Sequence, residues 1–165
     1  MSSSTVKLVV GTADHREFVR QLSAEVFSRF GNYEAMLPGL LASSMVRTVV
    51  AEVDGEAVGF AMYSLEDIDD GEVDLSAIAV RPGWQSRGLG RRLLAYVEAA
   101  TRSLVRNRSA VVRLTVAEDN RPARKLFEQS GYVPIVEQRG SYPRGQRSIA
   151  LYKRIGGTDE APDDP

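Results

Sequence analysis

Residues 85–90 read QSRGLG: Gln85, Ser86, Arg87, Gly88, Leu89 and Gly90. Two glycines and an arginine stand between an apolar run, LSAIAV, and a helix-like run, RRLLAYVEAA. That combination suits anion chemistry. The first backbone N–H groups of a helix have no partners within it, and the helix dipole is positive at that end. Glycines remove the Cβ atoms that would keep a phosphate from those N–H groups. Arg87 adds a guanidinium fork that fits phosphate oxygens, and Arg81, Arg91 and Arg92 raise the local positive potential. The turn is expected to hold a pyrophosphate; the alternative is a strand-to-helix turn with nothing bound. GxxxxGK[ST] is absent, and the spacing lacks the first glycine of GxGxxG.

A second group of reactive residues precedes that turn. LEDIDDGEVD (65–74) contains Glu66, Asp67, Asp69, Asp70, Glu72 and Asp74. If these carboxylates rim a cleft, they favour a cationic ligand such as a polyamine, an aminoglycoside or a basic peptide. The alternative is a solvated hairpin tip. Other chemistries lack their residues. There is no cysteine, hence no disulfide, thiolate nucleophile or cysteine metal site. One histidine, His15, makes no multi-histidine zinc site, and no metal is expected. The net charge of −1 gives no general attraction to nucleic acid. No apolar run approaches the roughly 18 residues that span a membrane. MSSSTVKLVV lacks a signal peptide's basic and long apolar regions, so a cytoplasmic location is the default expectation.

The elements that must position these groups alternate along the 165 residues, a length that suits one domain with its own core. TVKLVV (5–10) is a strand. Asp14, with Glu17 three residues on, predicts a helix cap, and Phe18, Leu22, Val26 and Phe27 recur at helical spacing. A shorter helix over 33–44 is interrupted by Pro38-Gly39. VRTVVAEV and EAVGFAMYSLE flank Asp54-Gly55 as a hairpin, and EVDLSAIAV (72–80) is the next strand. Leu89, Leu93, Leu94, Val97, Ala100, Leu104 and Val105 form one helical stripe. Strand AVVRLTV (110–116), a helix over 120–130 ending at Gly131, and strands YVPIVEQ and RSIALYKR complete the order. The expected fold is α/β (α+β), a single mixed, largely antiparallel sheet of about seven strands with four helices. Residues 1–155 form the domain, and the acidic stretch 156–165 reads as a disordered tail.

GWQSRGLGRRLL resembles the Q/R-x-x-G-x-G/A signature of the GNAT superfamily, the acetyl-CoA-dependent N-acetyltransferases. LSAIAVRP is similar to that family's fourth strand, and LTVAEDNRPARKLFEQSGYVP to its next block, over about Val46 to Arg154. The resemblance implies that the pantetheine arm lies between strands four and five, on backbone of Ile78, Ala79 and Val80. It implies that the pyrophosphate meets N–H groups from Gln85 to Gly90, including Ser86, Arg87, Gly88 and Leu89. Asn120 matches a cofactor-arm position, with helix capping as its alternative. Arg124 and Lys125 match weaker candidates for the 3′-phosphate.

The departures from the family bear on catalysis. Many members carry a tyrosine in LYxxxGF that protonates the departing thiolate; here LFEQSGY puts Phe127 there, against the cofactor, with no proton to give. Tyr132 is expected in the core. The family's frequent strand-four glutamate is also missing. An ammonium with a pKa of about 10 needs a base before it can attack, and Glu72 or Asp74 could serve directly or through water. RGSYPRGQRSIALYKR is similar to a stretch of the ribosomal-protein-type N-terminal and lysine acetyltransferases, where Tyr142 falls on a tyrosine lining the acceptor slot. The implied function is acetyl transfer from acetyl-CoA to a primary amine by direct attack in a ternary complex. The acceptor is an amine-bearing small molecule or peptide, and the family often pairs as a homodimer. The competing reading, from the missing tyrosine and glutamate, is a non-catalytic acyl-CoA-binding module.

Overall fold

A computed structural model describes residues 4–106 and 108–156. Seven strands form one sheet in the order β1-β2-β3-β4-β5-β7-β6. Strand β1 spans Val6–Val10, β2 Val46–Val53, β3 Glu56–Ser64 and β4 Glu72–Val80. Strand β5 spans Ser109–Ala117, β6 Val133–Ser141 and β7 Arg147–Gly156. All neighbouring pairs are antiparallel except β4–β5, which is parallel. Helices α1 (Arg16–Phe27), α2 (Tyr33–Met36), α3 (Leu89–Val105) and α4 (Arg121–Gln129) cover the sheet. Gly156 closes β7 rather than opening a tail. The predicted acidic tail beyond it, 157–165, lies outside the described residues.

The strand periodicity of two splits each strand between two cores. Val49 and Ala51 of β2 face the layer that holds Leu93, Leu94 and Val97 of α3. Val50 between them faces the layer that holds Val19 and Leu22 of α1, with Phe60 and Met62 of β3. The α3 stripe is therefore buried, as its spacing predicts, although Leu104 is 44% exposed. Asp54 and Gly55 both take positive φ, 51° and 84°, as a tight two-residue hairpin requires.

Two local expectations shift. The N-terminal helix begins through a 3-10 turn, Ala13–His15, and Thr12 N–H donates to His15 Nδ1 at 3.0 Å. Asp14 is not the cap, and Glu17 instead accepts from Arg20 Nε at 2.9 Å. The second predicted helix shrinks to α2 followed by a 3-10 segment, Leu37–Ala42, because Pro38 has no N–H to continue an α-helical ladder.

The sheet is interrupted at one point. Strands β4 and β5 are paired only from Glu72↔Val111 to Leu75↔Leu114. Beyond Leu114, β5 stays paired with β7 as far as Ala117↔Ser148, while β4 runs on to Val80 beside β3. In the β3–β4 register, Met62 faces Ala77 and Tyr63 faces Leu75, so Ser76 is an extra residue. A one-residue bulge bends its strand, and here it coincides with the parting of β4 from β5.

Candidate functional site

The parting of the two strands opens a cleft of about 300 Å³ in the middle of the sheet. Asp74, Leu75, Ser76, Ala77 and Ile78 of β4 form one wall; Leu114, Thr115 and Val116 of β5 form the other. Asn120, Ala123 and Phe127, from the start and inner face of α4, close one side. Phe27, Phe30 and Tyr33, from the α1–α2 region, close another with Tyr142 and Pro143 of the β6–β7 loop. Strand edges that face a gap carry backbone donors and acceptors without ladder partners, and these can bind an extended polar chain.

Strand β4 leads from this cleft directly into the glycine–arginine turn. Gly88 adopts φ 81°, and Ser86 φ 63°. A Cβ on Gly88 would meet no atom within 4 Å. The first helical bond from the turn runs from Arg92 N–H to Gly88 C=O at 3.1 Å, and no side chain caps α3. The N–H groups of Leu89, Gly90 and Arg91 therefore open the helix without intrahelical partners. Gln85 folds the turn back by donating from Nε2 to Val80 C=O at 3.0 Å. The Arg87 guanidinium lies 4.8 Å over the Trp84 ring. Gly90 packs on α4: a Cβ there would come within 3.2 Å of Leu126 Cδ2. This cradle fits a diphosphate in its open space, free amides and dipole sign.

The predicted site residues separate into groups. Ile78, Asn120 and Phe127 line the cleft. Ala79 is buried toward the α1 layer, and Val80, Gln85, Ser86, Arg87, Gly88, Leu89 and Gly90 lie beyond the cleft along β4 and the turn. Asn120 caps α4 as well as facing the cleft, since its Oδ1 accepts from Ala123 N–H at 3.4 Å. Phe127 is 3% exposed and packs edge-to-face on Tyr132, at 5.9 Å between ring centres. Tyr132 is buried, as expected, and desolvation together with nearby Glu98 drives its hydroxyl pKa far upward.

The two candidate bases part company. Asp74 lines the cleft, one residue before β4 and β5 part; Glu72 does not, because it sits at the far end of the paired stretch. Glu72 instead accepts from Arg113 Nη1 at 3.3 Å. Arg113 also donates to Gln138. Burial among the cleft walls raises the Asp74 carboxyl above the ordinary aspartate range. The Ser76 hydroxyl, 3.4 Å away, and the Arg113 charge oppose that rise, while Asp67 and Glu66 add to it.

Tyr142 lines the cleft, and its hydroxyl donates to Thr115 C=O at 3.2 Å. Burial pushes its phenol up to about 12, with Tyr33 adding to the effect. Its ring lies 4.9 Å from Phe30 and 6.5 Å from Tyr33, and Tyr33 lies 5.9 Å from Phe27. The sequence reading assigned no role to Phe27, Phe30 or Tyr33. Their three-residue spacing around Gly31-Asn32, where the amphipathic stripe of α1 ends, was the available signal. Of the six carboxylates in 65–74, Asp74 alone lines the cleft.

Comparison with known proteins agrees with this architecture. Residues 15–132 match the model of the "Acetyltransferase (GNAT) family". YhfO, an uncharacterized N-acetyltransferase of Bacillus subtilis (strain 168), is 31% identical over 127 residues, covering 72% of this chain and 76% of its own. The fold matches the ribosomal-protein-S18-alanine N-acetyltransferase of Escherichia coli with TM-score 0.79 and 21% identity, covering 94% and 97% of the two chains. It also matches the PaiA N-acetyltransferase of Thermoplasma acidophilum, solved in complex with coenzyme A, with TM-score 0.73 and 14% identity over 92% and 99%. By its matched profile and its close relative, the chain belongs to the GNAT family of acetyltransferases.

Proposed function

We propose that the protein transfers the acetyl group of acetyl-CoA to a primary amine, with both substrates held in the cleft at once. The observation that carries this reading is the opening of β4 from β5 after Leu75 and Leu114, continuous along β4 with the uncapped start of α3. Free strand-edge groups in the gap suit the amides of a pantetheine arm, and the Gly88 cradle suits its diphosphate. The solved relative bound to coenzyme A supports the same ligand class.

Acetyl-CoA supplies the thioester: the amine nitrogen bonds to the acetyl carbon, the C–S bond breaks, and the thiolate leaves, taking up through water the proton that the nitrogen sheds. The chain's own groups order that exchange. Holding both reactants in one cleft removes much of the entropic barrier. Asp74 meets the incoming ammonium and takes its proton, directly or through water; its raised carboxyl pKa makes it a stronger base than an ordinary aspartate. Glu72 acts on Arg113 rather than on the amine. Phe127 shields the reacting sulfur end from water, and the thiolate is stable enough near neutral pH to leave without a tyrosine donor.

The test is thiol release. Wild-type protein given acetyl-CoA and a panel of primary amines should release free thiol in step with amide formed. Binding of coenzyme A without thiol release for any amine would favour a non-catalytic acyl-CoA-binding module, the reading that Phe127 in place of tyrosine leaves open.

A further inference from the structure

The acceptor end of the cleft has a composition that the acidic stretch 65–74 does not suggest. Glu66, Asp67, Asp69 and Asp70 are exposed in the turn before β4, and Glu72 is engaged with Arg113. Among the described residues, Asp74 is the one charged side chain lining the cleft. Arg113, its register partner across the β4–β5 pair, donates to Glu72 and Gln138 instead. Asp74 therefore offers one carboxylate to one cation.

The wall on the α1–α2 side is aromatic. Phe27, Tyr33, Tyr142 and Phe30 form an unbroken series of ring contacts, three of them on or next to a 12-residue helix and one from the β6–β7 loop. Leu37 and Pro143 extend it with apolar surface. The two contributing loops are tied together. Arg144 N–H donates to Phe30 C=O at 3.2 Å, and Gln146 Nε2 donates to Arg29 C=O at 2.5 Å. This bridge limits the slot, and a cleft of about 300 Å³ is at the small end of ligand cavities.

We infer that the acceptor is a small monoamine whose single ammonium is carried on an aromatic or branched apolar skeleton. This rests on the reading of the protein as an N-acetyltransferase. One carboxylate matches one charge, and the ring series matches an apolar body. A second ammonium would leave water for walls that hold no carboxylate to meet it. A peptide would need room beyond its first residue, where the bridged loops stand.

The inference is tested with full-length protein and acetyl-CoA, measuring kcat/KM by thiol release. The acceptors are 2-phenylethylamine, isoamylamine, spermidine, kanamycin and the amide of phenylalanylglycine. The expected result is at least a tenfold preference for 2-phenylethylamine over spermidine, kanamycin and the peptide. Tyr33→Ala should raise the KM for 2-phenylethylamine at least fivefold while coenzyme A binds as before, which also reports an intact fold. Equal or better use of spermidine, kanamycin or the peptide overturns the acceptor class and leaves the N-acetyltransferase reading standing. Thiol release with none of the five overturns both.

Discussion

Glu72 accepts a hydrogen bond from the Arg113 guanidinium at 3.3 Å, at the start of the stretch where β4 and β5 are paired. Asp74 is the register partner of Arg113, yet no ion pair joins those two among the described residues. The pair at Glu72 thus keeps a cation occupied beside the one carboxylate that faces the cleft.

Removing that restraint should inhibit the reaction. Glu72→Gln frees Arg113 to pair with Asp74, in competition with the acceptor. Half-exposed ion pairs are worth up to about 1 kcal/mol, so the amine KM should rise about two- to fivefold. The affinity for coenzyme A should stay unchanged. Steady-state kinetics with a calorimetric titration of coenzyme A separates the two effects; an unchanged amine KM would show that Arg113 does not reach Asp74.

Asp74 should have opposite effects on rate and stability. Its carboxyl pKa is raised by burial, and in the proposed reaction the ionised form is the base. The kcat/KM should therefore fall as pH drops through a value above the ordinary aspartate range. Asp74→Asn should remove that acid limb and lower kcat/KM at neutral pH by about 100-fold or more. The same shift sets the stability sign. The folded state holds this proton more tightly than the unfolded state, so stability declines as pH rises from the unfolded to the folded pKa. At neutral pH the fold carries that cost, and Asp74→Asn should raise Tm while it lowers the rate. A lower Tm would show that the carboxylate contributes to packing.

Tyr142 fixes the β6–β7 loop to the open edge of β5 through its bond to Thr115 C=O. Tyr142→Phe loses one hydrogen bond and should cost about 1 kcal/mol. Because the folded phenol is pushed up to about 12, its contribution is complete below the unfolded value near 10 and is lost as pH rises through 12. Denaturant unfolding at pH 7 and pH 11 should show a shallower alkaline loss in Tyr142→Phe than in the wild type. An equal loss in both would assign the alkaline sensitivity to Tyr132 or another group.

Much of this arrangement is legible in the sequence, for identifiable reasons. The stripe from Leu89 to Val105 fixes α3, because helical spacing and burial are the same fact seen twice. Gly88 at φ 81° and the strand before it mark the turn, because few residues tolerate that backbone. The six carboxylates of 65–74 could not be ranked from the sequence. Their roles depend on where β4 leaves β5, and that point coincides with a bulge at Ser76 that has no residue signature. Phe27, Phe30 and Tyr33 were missed for a related reason: Phe30 and Tyr33 meet Tyr142 from more than a hundred residues away, Phe27 joins them through Tyr33, and only the fold brings them together. Asp14 reads as a cap because Glu17 stands three residues on, but Glu17 binds Arg20.

The central claim concerns the turn at the start of α3, and calorimetric titration with coenzyme A tests it most directly. Gly90 is a poor probe, because a Cβ there presses on Leu126 at 3.2 Å. Gly88→Ala puts its methyl in open space, with about 1–2 kcal/mol of left-handed backbone strain confined to the turn. Gly83→Ala, also in open space but without a positive φ, is the control. Wild type and Gly83→Ala should bind coenzyme A at one site with equal affinity, and Gly88→Ala at least tenfold more weakly. Absence of binding by the wild type, or wild-type affinity in Gly88→Ala, would contradict the account.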